Sequence, residues 1–423
     1  IFSFGATARD AYERIIDLVS QGEHCFKPPR KQPNPAAAVP KSLATVAEIA
    51  PILRGLLAVA EDADAGHWRR MVLAHRRSPQ ILAFAHGKEV RRYAQAGVVT
   101  PDHVIRTKAK PLLLPAPLAG GLDRFKTQAQ AALEAYVADY RSYFTRNNAM
   151  QVPPKKPLDP LPRLILVPGL GLFGLGKSAK EAAVAADIAE TAIAVIGDAE
   201  AIGRFESIPE ADIFDVEYWS LEQAKLGKAA EKPLARQVAV ITGGGGAIGA
   251  ASARAFAAAG AEVALLDLDG AAAAKAARAV GGLGLACDVT KAGEVRRAFD
   301  AVCEAFGGVD ILVSNAGAAW SGRIGEVADA VLRQSFELNF FAHQTVAQAA
   351  VQIMLRQGTG GVLLFNVSKQ AVNPGKDFGP YGLPKAATLF LSRQYALDYG
   401  AAGIRSNAVN ADGIHSGLVT EAM

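Results

Sequence analysis

The 423-residue chain is 50% apolar, 20% charged and 7% aromatic, which excludes a disordered, collagen-like or coiled-coil protein and leaves room for two or three compact units. Net charge is +4, from 45 basic and 41 acidic residues, without a basic block that could follow a phosphate backbone, so nucleic acid is not an expected partner. No window reaches the roughly 18 uncharged apolar residues of a membrane span, and Cys25, Cys287 and Cys303 lack metal or redox spacing, so a soluble protein of a reducing cytoplasm is expected.

Three proline-rich or charged seams, at 27–40, 152–163 and 227–236, divide the chain. Between the first two, apolar residues recur at three- and four-residue spacing around 46–60 and 125–144, so 41–150 is expected to be mostly helical. From 164 the pattern changes to a strand (LILV), a glycine loop and an alanine-rich helix over 178–196, making 163–227 a small β-α unit. Its residues 171–178, GLFGLGKS, satisfy the phosphate-loop pattern GxxxxGK[ST]. A working NTPase also needs an acidic metal-holding residue after a second apolar strand, and Asp215 follows only a two-residue apolar run. A structural loop is therefore expected, with a phosphate-loop nucleotide-binding protein as the alternative.

From 237 onward six β-branched or aliphatic runs (QVAVIT, AEVALLD, LGLACD, VDILVS, GVLLFNV, IRSNAVN) alternate with helical stretches. Alternation of this kind predicts an α/β, Rossmann-type doubly wound parallel sheet. The first run enters GGGGAIG and then a helix. The glycines Gly243, Gly246 and Gly249, with Ile248, allow backbone amides and a helix N-terminus to approach a pyrophosphate closely. Asp267 ends the next strand, where a carboxylate accepts from an adenosine ribose and repels a 2′-phosphate, which favours NAD over NADP as cofactor.

Tyr381 and Lys385 stand four apart in YGLPK and share one helix face. A tyrosine that titrates near 10 serves as a base at neutral pH only if nearby positive charge favours the phenolate, and Lys385 can supply it. Ser368, thirteen residues before Tyr381, can donate to a substrate oxygen, and Asn339 could hold a proton-relaying water. With SNAG at 314–317, these motifs over about 234–423 resemble the short-chain dehydrogenase/reductase family. The resemblance implies an adenine contact from Asp288, cofactor binding by Val289, a cofactor pocket shaped by Asn315, Ala316 and Gly317, a ribose contact from Lys385, and a homo-oligomer built through helices flanking the sheet. Two positions depart from the family: Ala247 stands where a second glycine is common, and Ala411-Asp412-Gly413 where Pro-Gly is usual.

Four phrases farther upstream, IFSFGATARDAYERII, TPDHVIRTK, LILVPGLGLFGLGKSAKEAAVAADIAE and FDVEYWSLEQAKL, are similar to the bifunctional rhamnulose-1-phosphate aldolase/short-chain dehydrogenase proteins. That similarity implies that 1–26 is the tail of a class II aldolase-like domain, that 41–150 is an aldolase-associated segment, and that the dehydrogenase processes lactaldehyde. His24, His67, His75, His86 and His103 show no tight ligand pair, so no metal site and no aldolase activity are expected here. The family usually continues past residue 423 to a substrate-covering segment and a seventh strand, so the chain is expected to be a fragment of impaired activity, or a non-catalytic piece that serves assembly.

Overall fold

The computed structural model describes residues 2–25, 37–62, 67–227 and 230–413; the seam at 27–40 falls largely, and that at 227–236 partly, outside them. Each of the six runs after residue 236 is a strand: β7 (Val238–Thr242), β8 (Glu262–Asp267), β9 (Leu283–Ala286), β10 (Ile311–Ser314), β11 (Gly361–Ser368) and β12 (Ile404–Ala411), numbered after the six strands that precede them. They form one parallel sheet in the order β12-β11-β10-β7-β8-β9. Alternate residues of the central strands feed opposite cores, Val238 and Val240 on one face and Ala239 and Ile241 on the other, which is why β7 reads as an unbroken apolar run. The chain winds outward from β7 to β9, returns to β10 and winds outward to β12. That reversal between β7 and β10 opens a crevice at the carboxyl ends of the strands.

Helices close both faces. In Ala292–Phe306 the buried Val295, Ala298, Phe299, Val302, Cys303 and Phe306 follow helical spacing, and Gly307, at φ 93°, ends the helix by donating its N–H to the Cys303 carbonyl.

The upstream region is rich in helix, including Val46–Leu56, Leu122–Asn148 and Ala179–Ile202, and it also carries a sheet of its own. After a short hairpin, β1 (Val59–Asp62) with β2 (His67–Arg69), come β3 (Val72–Arg76), β4 (Leu112–Leu113), β5 (Leu164–Val167) and β6 (Gly171–Gly176), in the order β3-β6-β5-β4. The segment read as a glycine loop is thus a buried strand. Its glycines have a packing reason: a Cβ on Gly174 would collide with the Ala182 carbonyl, and one on Gly176 with the Ala182 amide, so only bare backbone lets the Ala179–Ile202 helix lie directly on β6.

The two sheets are joined by a buried ionic cluster. Arg54, on the Val46–Leu56 helix, makes a bidentate pair with Asp310 at 2.8 and 2.7 Å and donates to the Met71 and Arg236 carbonyls. Arg70 lies 3.2 Å from the same carboxylate, which also accepts from the Val238 amide at the start of β7. Arg54 and Asp310 are 1% and 2% exposed, so every polar atom there depends on its partners, and burial alone would push the carboxyl up; the two guanidiniums hold it below the usual carboxylate range. Farther from the junction, Lys108 and Glu217 form a second buried pair, at 2.9 Å, with Tyr140 and Tyr143 donating to the carboxylate. No described helix is long and apolar enough to cross a membrane.

Candidate active site

The turn after β7 needs its glycines where the backbone folds on itself. Gly243 has φ 64°, a left-handed value, and a Cβ on Gly249 would strike the Gly243 carbonyl. The helix Ala247–Ala258 starts at this turn with Gly246 as its N-cap and no side chain over its first amides, leaving an N-terminus suited to an anion. Asp267, at the end of β8, accepts from the Gly245 and Asp269 amides at 2.9 and 3.0 Å, so it braces the turn as well as standing at its rim. Asp288 accepts from the Thr290 amide and hydroxyl through one oxygen.

A cleft of about 670 Å³ runs from this turn across the sheet reversal to the Gly379–Tyr399 helix. It is lined by Gly243, Gly246, Ile248, Gly249, Asp267, Asp288, Val289, Asn315, Ala316, Gly317, Ser368, Tyr381 and Lys385. Of the catalytic and cofactor-binding candidates, Asn339 alone does not line it. It is fully buried on a π-helical turn, Glu337–Phe341, its side-chain amide donating to the Ala318 carbonyl at 2.8 Å and to the Ser335 hydroxyl. Its carbonyl oxygen and the Lys385 ammonium still converge behind Gly317: a Cβ there would lie 2.8 Å from Asn339 Oδ1 and 3.3 Å from Lys385 Nζ. Gly317 keeps that meeting point open.

Ser368 ends β11 and lines the cleft with Tyr381; burial pushes the Tyr381 phenol up and the Ser368 hydroxyl pulls it down. Lys385 is 3% exposed, and burial alone takes it down to about 7. Its Nζ donates to the Asn366 carbonyl at 2.9 Å and lies 3.3 Å from His343 Nε2. At the mouth, Asp412 pairs with Lys369 at 2.8 Å, so the departure from Pro-Gly brings an ion pair to the cleft rim.

Sequence reasoning gave no separate role to four residues. The Thr242 hydroxyl accepts from the Asn315 and Ala316 amides at 2.9 and 3.0 Å, fixing the loop after β10 against the glycine turn. Asn366 donates its side-chain amide to Asn315 at 2.8 Å. Ser314 and His343 are joined at 2.6 Å inside the core. Thr242 directly precedes the turn and His343 follows Asn339 by one helical turn, so adjacency to the motifs was the available signal.

The phosphate-loop alternative finds no support in the geometry. The Lys177 amide donates to Glu181, its ammonium lies 3.5 Å from Glu231, and Ser178 caps its own helix by accepting from the Glu181 amide. β6 pairs with β3 on one edge and β5 on the other, so its amides serve the sheet. Among the described residues no three His, Cys, Asp or Glu side chains gather as a metal site; His75 sits against the Leu170 carbonyl, and His86 accepts from the Gly169 amide.

Comparison with known proteins agrees with this geometry. Residues 237–423 match the short chain dehydrogenase family, and Dehydrogenase/reductase SDR family member 4 of Oryctolagus cuniculus is 33% identical over 192 residues, 44% of this chain and 74% of that protein. The chain belongs to the short-chain dehydrogenases/reductases. Members of that family are nicotinamide-dependent oxidoreductases that act on small molecules. The second domain of class II aldolases matches residues 44–226, so one chain of this dehydrogenase family carries both kinds of domain. The uncharacterized oxidoreductase YuxG of Bacillus subtilis is 32% identical over 436 residues, 99% of this chain, which spans 61% of that relative's length. A short-chain type dehydrogenase/reductase from Mycobacterium marinum is 30% identical with a TM-score of 0.43, covering 44% of this chain and 76% of its own.

Proposed function

We propose that the cleft uses NAD to interconvert a small hydroxy-aldehyde or alcohol with its oxidised form, that lactaldehyde is the substrate, and that the chain works in the cytoplasm as a homo-oligomer. The observation that carries this reading is the convergence of Ser368, Tyr381 and Lys385 on the same cleft that the glycine turn opens. The residues fit a dinucleotide: Gly243 and Gly249 let the turn fold tightly on its own backbone, Gly317 leaves the space beside Lys385 open, the Ala247–Ala258 helix offers its N-terminus, and Asp267 and Asp288 suit the ribose and adenine. When bound, the nicotinamide ring supplies the hydride acceptor or donor. Ser368 donates to the substrate oxygen, Tyr381 takes the hydroxyl proton during oxidation and returns it in reduction, and Lys385 holds the positive charge that favours the phenolate. Since burial raises Tyr381 and takes Lys385 to about 7, loss of that charge above neutrality weakens the base it serves.

The joining of an aldolase-type domain to a dehydrogenase in one chain supports lactaldehyde, because aldol cleavage of a 6-deoxyketose phosphate releases it. D-threitol dehydrogenase of Mycolicibacterium smegmatis, 33% identical over 180 residues, supports a small hydroxylated substrate. Leu383, Phe390 and Leu397, exposed at seven-residue spacing on the Gly379–Tyr399 helix, support a second copy as partner. Oxidation of lactaldehyde followed by NADH absorbance tests the reading: turnover with NAD is expected, at least about tenfold better than with NADP. Asp267→Ser should narrow that preference by about the same factor, since it removes a charged hydrogen-bond acceptor. No turnover with either cofactor would contradict it.

A further inference from the structure

Lys385 is reached from the core side by a residue that the mechanism above does not use. His343, on the helix Ala342–Gln357, is 2% exposed and stands between Lys385 on one ring nitrogen and Ser314 of β10 on the other. An ammonium only donates, so Nε2, 3.3 Å from Lys385 Nζ, is the acceptor, and the ring proton lies on Nδ1, directed at the Ser314 hydroxyl 2.6 Å away. The imidazole is neutral, because burial and the neighbouring Lys385 charge both drive its pKa well below the usual value. Ser314 is 1% exposed, so the row Lys385, His343, Ser314 ends inside the protein and gives a proton no exit to water. It is built to hold, not to relay.

We propose that His343 is a positioning residue for Lys385: clamped by Ser314, its Nε2 accepts from the buried ammonium, keeping it charged and held 5.8 Å from the Tyr381 ring. The proposal rests on the roles given to Tyr381 and Lys385 above. Few groups compete for this control. His343 and Tyr381 are the titratable groups facing Lys385, from the adjoining helix and from its own; β11 presents the Asn366 carbonyl and the Ser368 hydroxyl, and the π-turn presents Asn339. The ammonium therefore has two good acceptors, at 2.9 and 3.3 Å, and His343 is one of them.

The test reads Lys385 directly. The full chain is labelled with carbon-13 at the lysine ε position, the Lys385 resonance is assigned by its loss in Lys385→Met, and its titration is followed by NMR in wild type, His343→Phe, His343→Gln and Ser314→Ala. The wild-type midpoint is expected near 7. In His343→Phe it falls by about one unit, a tenfold loss of proton affinity or ~1.4 kcal/mol. In His343→Gln, which keeps an acceptor, most of that drop is recovered, and Ser314→Ala shows a smaller fall in the same direction. An unchanged midpoint in His343→Phe, or a fall in His343→Gln as large as in His343→Phe, overturns the proposal. If the phenylalanine variant does not fold, an unchanged midpoint in Ser314→Ala does so. The titration needs no substrate, so failure of the chain to turn over lactaldehyde contradicts the proposed function and leaves the His343 result readable.

Discussion

Two glycine-rich segments of this chain have nearly the same written pattern and opposite physics. Residues 171–178, GLFGLGKS, and 243–249, GGGGAIG, each precede a helix whose N-terminus lies nearby. In the first, Gly174 and Gly176 of β6 face the backbone of the helix that follows, and the Lys177 and Ala179 amides beyond the strand donate to Glu181 and Glu262. In the second, Gly243 turns at φ 64° and Gly249 sits against it, so the chain leaves the sheet and the helix N-terminus faces a cleft. Glycine serves close approach in both places. The approaching group is a protein helix in one and the turn's own backbone in the other, a fold that on the proposed reading shapes the ligand's cradle.

This contrast can be pressed from both sides. The largest effect belongs to the cleft: Tyr381→Phe should lower kcat by roughly 10²–10⁴-fold while NAD still binds, whereas Lys177→Ala should leave kcat unchanged. Steady-state kinetics of the two variants side by side decide this, and a protein whose role is assembly alone would be indifferent to both. Next is the junction that holds the two sheets together. Asp310→Asn strands Arg54 and Arg70 in the interior and should cost about 3–5 kcal/mol in denaturant unfolding. The folded-state carboxyl is held low, so its contribution is present above its unfolded value near 3.9 and is lost as pH falls through the folded one. Wild type should thus lose this part of its stability only in acid, and Asp310→Asn should lack that component of the acid dependence. The smallest effect tests the strand reading: Gly174→Ala forces β6 and its helix apart, at about 1–3 kcal/mol, with no change in NAD affinity.

Much of the catalytic half was legible in the sequence because its signals are local. The six strands follow from alternation, and thirteen of the site residues reach one cleft because most sit at or just beyond strand ends, where a doubly wound sheet gathers them, with Tyr381 and Lys385 joining from a helix. The upstream sheet was hidden because β4 is only two residues long and β3 pairs with β6 about a hundred residues later, so neither carries a local period. Asn339 was legible as a residue but not in its setting, since Ala318 and Ser335 claim its side-chain amide. His343 had no motif at all. Its place is defined by β10, its own helix and the Gly379–Tyr399 helix together, and such a meeting of three elements has no spacing to read.

The measurement that bears most directly on the account is the thermal-unfolding midpoint with and without saturating NAD, in wild type, Gly249→Val and Lys177→Ala. A ligand that binds only the folded state must raise the midpoint. The account predicts a rise in wild type and an equal rise in Lys177→Ala, with no rise in a cooperatively folded Gly249→Val, whose added side chain would collide with the Gly243 carbonyl. A rise abolished by Lys177→Ala, or one that survives unchanged in Gly249→Val, would contradict the assignment of the cofactor to the turn after β7.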